Sequence, residues 1–293
     1  MKRTLIALLF VFALMFTACA KEATPITPQI GGEIQTGKDG NGKIPSYTAV
    51  TEKTADEALK LLGAVSAESK TVTDGLKIDE LSFGESKAYI MTVQMDKLTL
   101  SASVPFNTKP FGTNQSLKGQ AEVLGKGGKA VLGGISANPM NLSINEPFGF
   151  VIKDGEKVYD KGFNDGSVYF GVYEDGKAFA ASYSQYTEIY QNKVETAVSG
   201  THMLLLDGKR QPIYGDDAME TDRIGVGFTA DRGTVVLVYA ENVSATTLTT
   251  LLLSNYCSVA VSLISGDLAC MNCNGVDYGT LAPVGPALFV TEK

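Results

Sequence analysis

The 293-residue chain is 44% hydrophobic with a formal net charge of -7. That is enough apolar material for one substantial core, and the acidic balance argues against a nucleic-acid partner, which needs a basic face that releases counterions. The absence of Trp, with 12 Tyr, 13 Phe and 31 Gly, suits a strand-rich domain with many turns.

Lys2 and Arg3 precede the apolar run Leu5 to Phe16 (LIALLFVFALMF), which is too short for a permanent membrane helix and reads as an export signal. Phe16-Thr17-Ala18-Cys19 resembles the lipobox of bacterial lipoproteins, in which small residues precede a cysteine whose thiol accepts diacylglycerol before cleavage. The competing reading is ordinary cleavage after Ala20, since Ala18-Cys19-Ala20 also fits the small-x-small pattern. The signal is thus assigned to residues 1–19 with Cys19 as the lipidation site, and Pro-, Gly-, Thr- and Lys-rich residues 20–47 form a flexible tether that cannot bury enough surface to offset its ordering entropy.

A helical lead-in is expected over 48–84. Thr54-Ala55-Asp56-Glu57 has the form of a capping box, and Ala58, Leu61, Leu62 and Val65 recur at helical spacing, which predicts a helix over 55–69. The main domain, 85–293, opens with strands Ala88 to Met95 and Leu98 to Val104 around a turn at Asp96-Lys97. Ser116 to Leu124 reads as a short helix stopped by glycines, followed by a buried strand from Ala130 to Ile135. Asp-Gly turns at 154–155, 165–166, 175–176 and 207–208 separate short apolar runs such as Val168 to Val172 and Met203 to Leu206, the pattern of consecutive hairpins. Ser244 caps a helix running toward Tyr256, with Leu248, Leu251 and Leu252 on one face. The fold class is therefore α+β: mixed or antiparallel sheets with a few covering helices.

The order of these pieces carries a resemblance. AYIMTVQMDKLTLSASVP, a helix opened by Gln115, GKAVLGGISANPMN, EPFGFVIKDGEKV, VYFGVYEDGKAFA, GTHMLLLDGK, RIGVG (Arg223 to Gly227) and FTADRGTVVLVYAENVS occur in the order found in the phosphodiester glycosidase family, and the similarity spans Ala88 to Val290. The resemblance implies hydrolysis between an anomeric carbon and a phosphodiester, a sugar-phosphate or glycan ligand, and no cofactor. Family members carry a Leu-Asp-Gly-Gly-Gly-Ser-Ser-like loop where this chain reads Leu263-Ile264-Ser265-Gly266-Asp267-Leu268-Ala269. They carry an Asn-Gly-Asp-Phe-Phe-like loop where it reads Ser136-Ala137-Asn138-Pro139-Met140. Ile264 and Asn138 thus stand at two carboxylate positions, and an alkyl chain can neither transfer a proton nor accept a sugar hydroxyl.

Glycosidic cleavage typically uses two carboxylates, so these losses predict lost or altered catalysis and open a second reading, a noncatalytic glycan-binding lipoprotein. Asp267 and Arg223 are the candidate catalytic residues: Asp267 lies three positions past the lost aspartate, and a guanidinium can hold a phosphate through two parallel hydrogen bonds. Their bland alternatives are an exposed turn carboxylate and a surface Arg paired with Asp222 or Glu220. Asn138, Asn141, Arg223, Gly227 and Gly266 make up the expected substrate-contact set. His202 is the only histidine, so a Ser-His-Asp arrangement is very poor, a multi-histidine metal site is excluded, and no metal site is expected. In an exported setting a disulfide between two of Cys257, Cys270 and Cys273 is expected, with the pairing open. The partners follow: a glycan, the membrane through the lipid anchor, and no nucleic acid.

Overall fold

The computed structural model describes residues 46–107, 113–128, 130–161, 167–182, 193–213 and 219–293. The expected signal, Cys19, the tether up to residue 45 and the turn at 165–166 lie outside them.

Helix α1 (Glu52–Lys60) leads into β1 (Val65–Thr73), β2 (Leu76–Phe83), β3 (Ser86–Gln94) and β4 (Leu98–Ser103). Helix α2 (Leu117–Lys126) precedes β5 (Val131–Ser136), β6 (Met140–Asn141), β7 (Glu146–Pro147), β8 (Gly149–Lys153) and β9 (Glu156–Lys161). Then come β10 (Val168–Tyr173), β11 (Ala178–Ser182), β12 (Val194–Gly200), β13 (His202–Leu206) and β14 (Lys209–Arg210). β15 (Thr221–Phe228), β16 (Thr234–Val243), α3 (Ala245–Ser254) and β17 (Val259–Ser265) follow, and β18 (Cys270–Cys273), β19 (Val276–Gly279) and β20 (Ala287–Glu292) close the chain.

An eight-stranded sheet runs β1-β2-β3-β16-β15-β17-β13-β14, and two five-stranded sheets run β11-β10-β12-β8-β9 and β19-β18-β5-β20-β4. The recorded strand pairs are antiparallel, so the α+β expectation holds with antiparallel rather than mixed sheets. Strand alternation explains the layers. Tyr89, Met91, Val93, Val235, Leu237, Ile224 and Val226 face a central core shared with both smaller sheets. Ala88, Ile90, Val236 and Val238 face a second core with Leu248, Leu251 and Leu252 of α3. Because both faces of β15 and β16 are covered, these strands read as near-continuous apolar runs.

The Ser244 cap and two of the Asp-Gly turns are met as expected, and the start of the expected helix at Ser116 is a cap as well. The Ser244 side chain accepts from Thr247 N, and the Ser116 side chain from Gly119 N, as helix caps. Asp154-Gly155 and Asp207-Gly208 take paired positive φ angles of 51° and 75° and of 54° and 72°, the primed turns that join β8 to β9 and β13 to β14.

Three expectations are corrected. First, the helix over 55–69 occupies 52–60, capped by Thr51 rather than Thr54. Gly63, at φ 81°, breaks the period, and Val65 starts β1 opposite Phe83. The 48–84 lead-in is therefore one short helix followed by two strands, because cross-strand pairing outweighs the helical spacing of Leu61 and Val65. Second, β3 and β4 do not pair across Asp96-Lys97; the chain there passes from the large sheet to the third sheet.

Third, Cys257, Cys270 and Cys273 are buried free thiols, each in a different core cluster. Cys270 and Cys273 sit three residues apart on one strand, a separation of about 10 Å that a disulfide cannot bridge. Burial raises all three thiols above the ordinary range, Cys270 and Cys273 to about 11. All three are expected to resist a water-soluble thiol reagent until the chain unfolds, and a reductant should leave the melting temperature unchanged.

Candidate functional site

Of the residues singled out by the family resemblance, Arg223, Gly266 and Asp267 lie where β15 begins and β17 ends and Asn138 and Asn141 follow β5, whereas Gly227 lies near the far end of β15. Arg223 pairs across the sheet with Ser265, and the register shifts between Arg223 and Gly225, the signature of a bulge. The next residue, Ile224, faces the central core, so alternation turns Arg223 to the opposite face, the one covered by α3. There it is 1% exposed. Its Nε donates to Val243 O at 2.9 Å and one terminal nitrogen donates to Met219 O at 2.8 Å. It ties the start of β15 to the end of β16.

Asn138, also 1% exposed, donates through Nδ2 to Phe148 O at 2.8 Å and Phe150 O at 3.2 Å and accepts from Ser199 N at 3.3 Å. All of these partners are backbone groups, so this side chain stitches β5 to the second sheet. Asn141 accepts from Ser143 N at 3.1 Å in a local turn. Ile264 joins the central core, and half-buried Met140 and Leu268 pack on the same core. A Cβ added to Gly285 would stand 2.3 Å from Met140 Sδ. The two family-like loops are thus closed by apolar and backbone-bonded side chains.

Gly227 lies in the core under the turn after α3: a Cβ there would meet Cys257 Sγ at 2.7 Å and Val259 O at 2.8 Å. Gly227→Ala is expected to lower stability by about 1–3 kcal/mol through overpacking, read from the urea midpoint; an unmoved midpoint would mean that Cys257 gives way. Gly266 takes φ 74° at the start of a single turn, Gly266–Leu268, and a Cβ there would have Thr221 Oγ1 at 3.9 Å, so its role is conformational. Asp267, on that turn, is exposed.

Beside this turn lies a group that sequence reasoning missed. Alternation brings Tyr89 opposite Glu80 and Tyr239, with Lys87 and Glu241 two residues further along the same face. Tyr89 stacks on Tyr239 with ring centroids 6.1 Å apart and on half-buried Tyr278 of β19 at 4.0 Å. Tyr239 OH donates to Asp222 Oδ2 at 2.7 Å, and Asn242 N donates to Asp222 Oδ1 at 3.0 Å. Gly279 closes over this point, since a Cβ there would stand 2.9 Å from Tyr239 OH and 2.5 Å from Ala269 O. Lys87 Nζ donates to Glu80 Oε1 at 2.9 Å.

The electrostatics follow from this crowding. Burial, then the Asp222 charge, raises the Glu241 carboxyl above its ordinary value. Burial, then the bond to Asp222, raises Tyr239, while burial followed by the Glu241 charge raises Tyr89. Half-buried Asp222, Glu241 and Glu80, offset by Lys87, give an acidic rim beside an aromatic stack. Such a rim can accept hydroxyl protons while the outer ring takes an apolar face. The i, i+2 pairs Lys87/Tyr89 and Tyr239/Glu241 were the available signal. Among the described residues no group of three or more His, Cys, Asp or Glu side chains is placed to hold a metal ion.

Residues 128–255 match the phosphodiester glycosidase family model. No curated protein matches the chain by sequence. Among solved structures, the fold is similar to the zebrafish N-acetylglucosamine-1-phosphodiester α-N-acetylglucosaminidase catalytic domain auto-inhibited by its pro-peptide, with TM-score 0.60, 14% identity, and 88% of this chain and 86% of that chain covered. It is also similar to a hypothetical protein from Synechocystis, with TM-score 0.56, 10% identity, and 79% of this chain and 64% of that chain covered. Residues 128–255 thus match the phosphodiester glycosidase model, and the fold, mostly antiparallel sheets with three α-helices among the described residues, is phosphodiester-glycosidase-like.

Proposed function

We propose that the chain is an exported lipoprotein, lipidated at Cys19 and held at the bacterial cell envelope, whose phosphodiester-glycosidase-like domain recognises a neutral glycan. The observation that carries this reading is the rim of Asp222, Glu241 and Glu80 beside the Tyr239-Tyr89-Tyr278 stack. A pyranose has an apolar C–H face that suits an outer tyrosine ring and hydroxyls that suit carboxylate acceptors. An anionic phosphodiester would meet like charges on this rim. Arg223, the guanidinium expected to bind phosphate, holds Val243 and Met219 carbonyls instead, so in this reading it is a positioning residue and Asp267 contributes one more exposed acceptor.

A second reading, residual hydrolysis, is favoured by one feature: Glu241, raised toward its protonated form, lies within the field of Asp222, the environment that separates an acid from its partner carboxylate. The deciding experiment measures binding and turnover by the full chain in detergent, using neutral oligosaccharides and sugar-1-phosphodiesters side by side. Saturable binding of neutral glycans without turnover supports recognition, and turnover lost in Asp222→Asn supports retained chemistry. Neither binding nor turnover would sink both. Lipidation is tested separately: Cys19→Ser is expected to abolish lipid labelling and move the protein from the membrane fraction to the soluble fraction.

A further inference from the structure

At the opposite end of β15 and β16 from the rim, the turn joining them carries Arg232, at φ 64° and 3% exposed. Its Nε donates to Ala178 O of β11, bridging the large sheet to the second sheet. Both terminal nitrogens of this guanidinium lack a hydrogen-bond partner. The group lies over the Tyr173 ring, with Cζ 5.6 Å from the centroid. The buried Tyr173 hydroxyl lies beside it, near enough to interact with the guanidinium, but the two make no hydrogen bond of good geometry and the hydroxyl has no other partner.

A guanidinium does not escape burial by losing its proton, so its unpaired N–H groups bear the full loss of hydration. Two terminal nitrogens in one plane form a fork that matches the two oxygens of a carboxylate, and the Tyr173 hydroxyl adds a third donor. We propose that Arg232 and Tyr173 form a seat for one small carboxylate, independent of the glycan rim. The surrounding charges select a monoanion. Asp175 and Asp231 lie on the β10–β11 and β15–β16 turns, with Lys177 as the neighbouring cation; Asp207 lies toward the Tyr47 side. A dianion such as phosphate would face those carboxylates with only one buried positive partner. Asp175 and Asp231 are engaged locally, Asp175 accepting from Lys177 N at 2.9 Å and Asp231 from Gly233 N at 3.0 Å.

The test follows thermal unfolding of the full chain at fixed ionic strength while chloride is replaced by formate or acetate, with calorimetric titration of formate for stoichiometry. The expected result is a saturable rise in melting temperature with one site per chain, a several-fold weaker affinity in Tyr173→Phe, and no formate effect in Arg232→Gln. Should Arg232→Gln fail to fold, Tyr173→Phe carries the test, because it removes one hydroxyl only. The proposal is overturned by an absent or unsaturable effect in the unaltered chain, by an affinity unchanged in Tyr173→Phe, by phosphate binding more tightly than formate, or by a formate site that appears only in Asp175→Asn, which would show that Asp175 occupies the fork.

Discussion

Arg223→Ala is expected to destabilise the domain by about 3–5 kcal/mol, the range for removing one member of a buried, bonded charged group. The guanidinium is 1% exposed and satisfies the carbonyls of Val243 and Met219, at the end of β16 and just before β15. Alanine would remove the donor to the buried Val243 carbonyl and the tie to the Met219 segment, and leave a cavity beneath the α3 side of the sheet. Arg223→Lys should recover only part of the loss, because one ammonium cannot reproduce a fork that serves two separated carbonyls. Urea unfolding of the three proteins checks this. If Arg223 instead acted on the ligand alone, Arg223→Ala would weaken binding while leaving the urea midpoint in place. Its location makes both changes expected together, since Asp222, the neighbouring residue, carries the rim.

The largest expected effects on recognition are at Glu241 and Tyr278. Glu241→Gln removes an ionised acceptor, a loss of about tenfold to a hundredfold in glycan affinity. Tyr278→Ala removes the outer ring and should cost about tenfold. Stability should respond in the opposite sense for Glu241. Burial and the Asp222 charge raise its carboxyl in the fold above the unfolded value, so the folded state binds the proton more readily than the unfolded chain. That contribution is fully present below the ordinary carboxylate range and is lost as pH rises through the raised value. At neutral pH ionised Glu241 therefore opposes folding, and Glu241→Gln should raise the melting temperature there, with the difference vanishing in acid. Weakened binding in a stabilised variant would separate a ligand-facing group from a structural one. If the chain retains hydrolysis, the same variant should lose roughly 100-fold or more in turnover, as for loss of a general acid.

The two tyrosine-bearing strands show why the rim was not legible in the sequence. Tyr89 lies in AYIMTVQM and Tyr239 in VVLVYAEN, each an ordinary strand pattern, and 150 residues separate them. Only the β3–β16 pairing, with Tyr89 opposite Tyr239, and the return of β19, whose Gly279 packs against Tyr239, bring Tyr278, Asp222 and Glu241 together. Asp222 entered the sequence reading as a possible partner of Arg223, yet consecutive residues of a strand face opposite sides, and the sheet puts one on the rim and the other beneath α3.

What the sequence by itself determined is local. Ser116 and Ser244 cap their helices because a hydroxyl satisfies an otherwise unpaired N–H, and Asp154-Gly155 and Asp207-Gly208 make primed turns because both positions of such a turn require positive φ. The order of strands also carried the family resemblance across Ala88 to Val290, which the family model matches over 128–255. What only the tertiary structure decided depends on long-range partners. Val65 is a strand residue because Phe83 stands opposite it, the three thiols stay apart because they belong to different cores, and Asn138 and Arg223 are bound to backbone groups. Charge and residue type are written in the chain, but burial and facing are properties of the packed sheets, and they determine whether a polar side chain meets a ligand or a carbonyl.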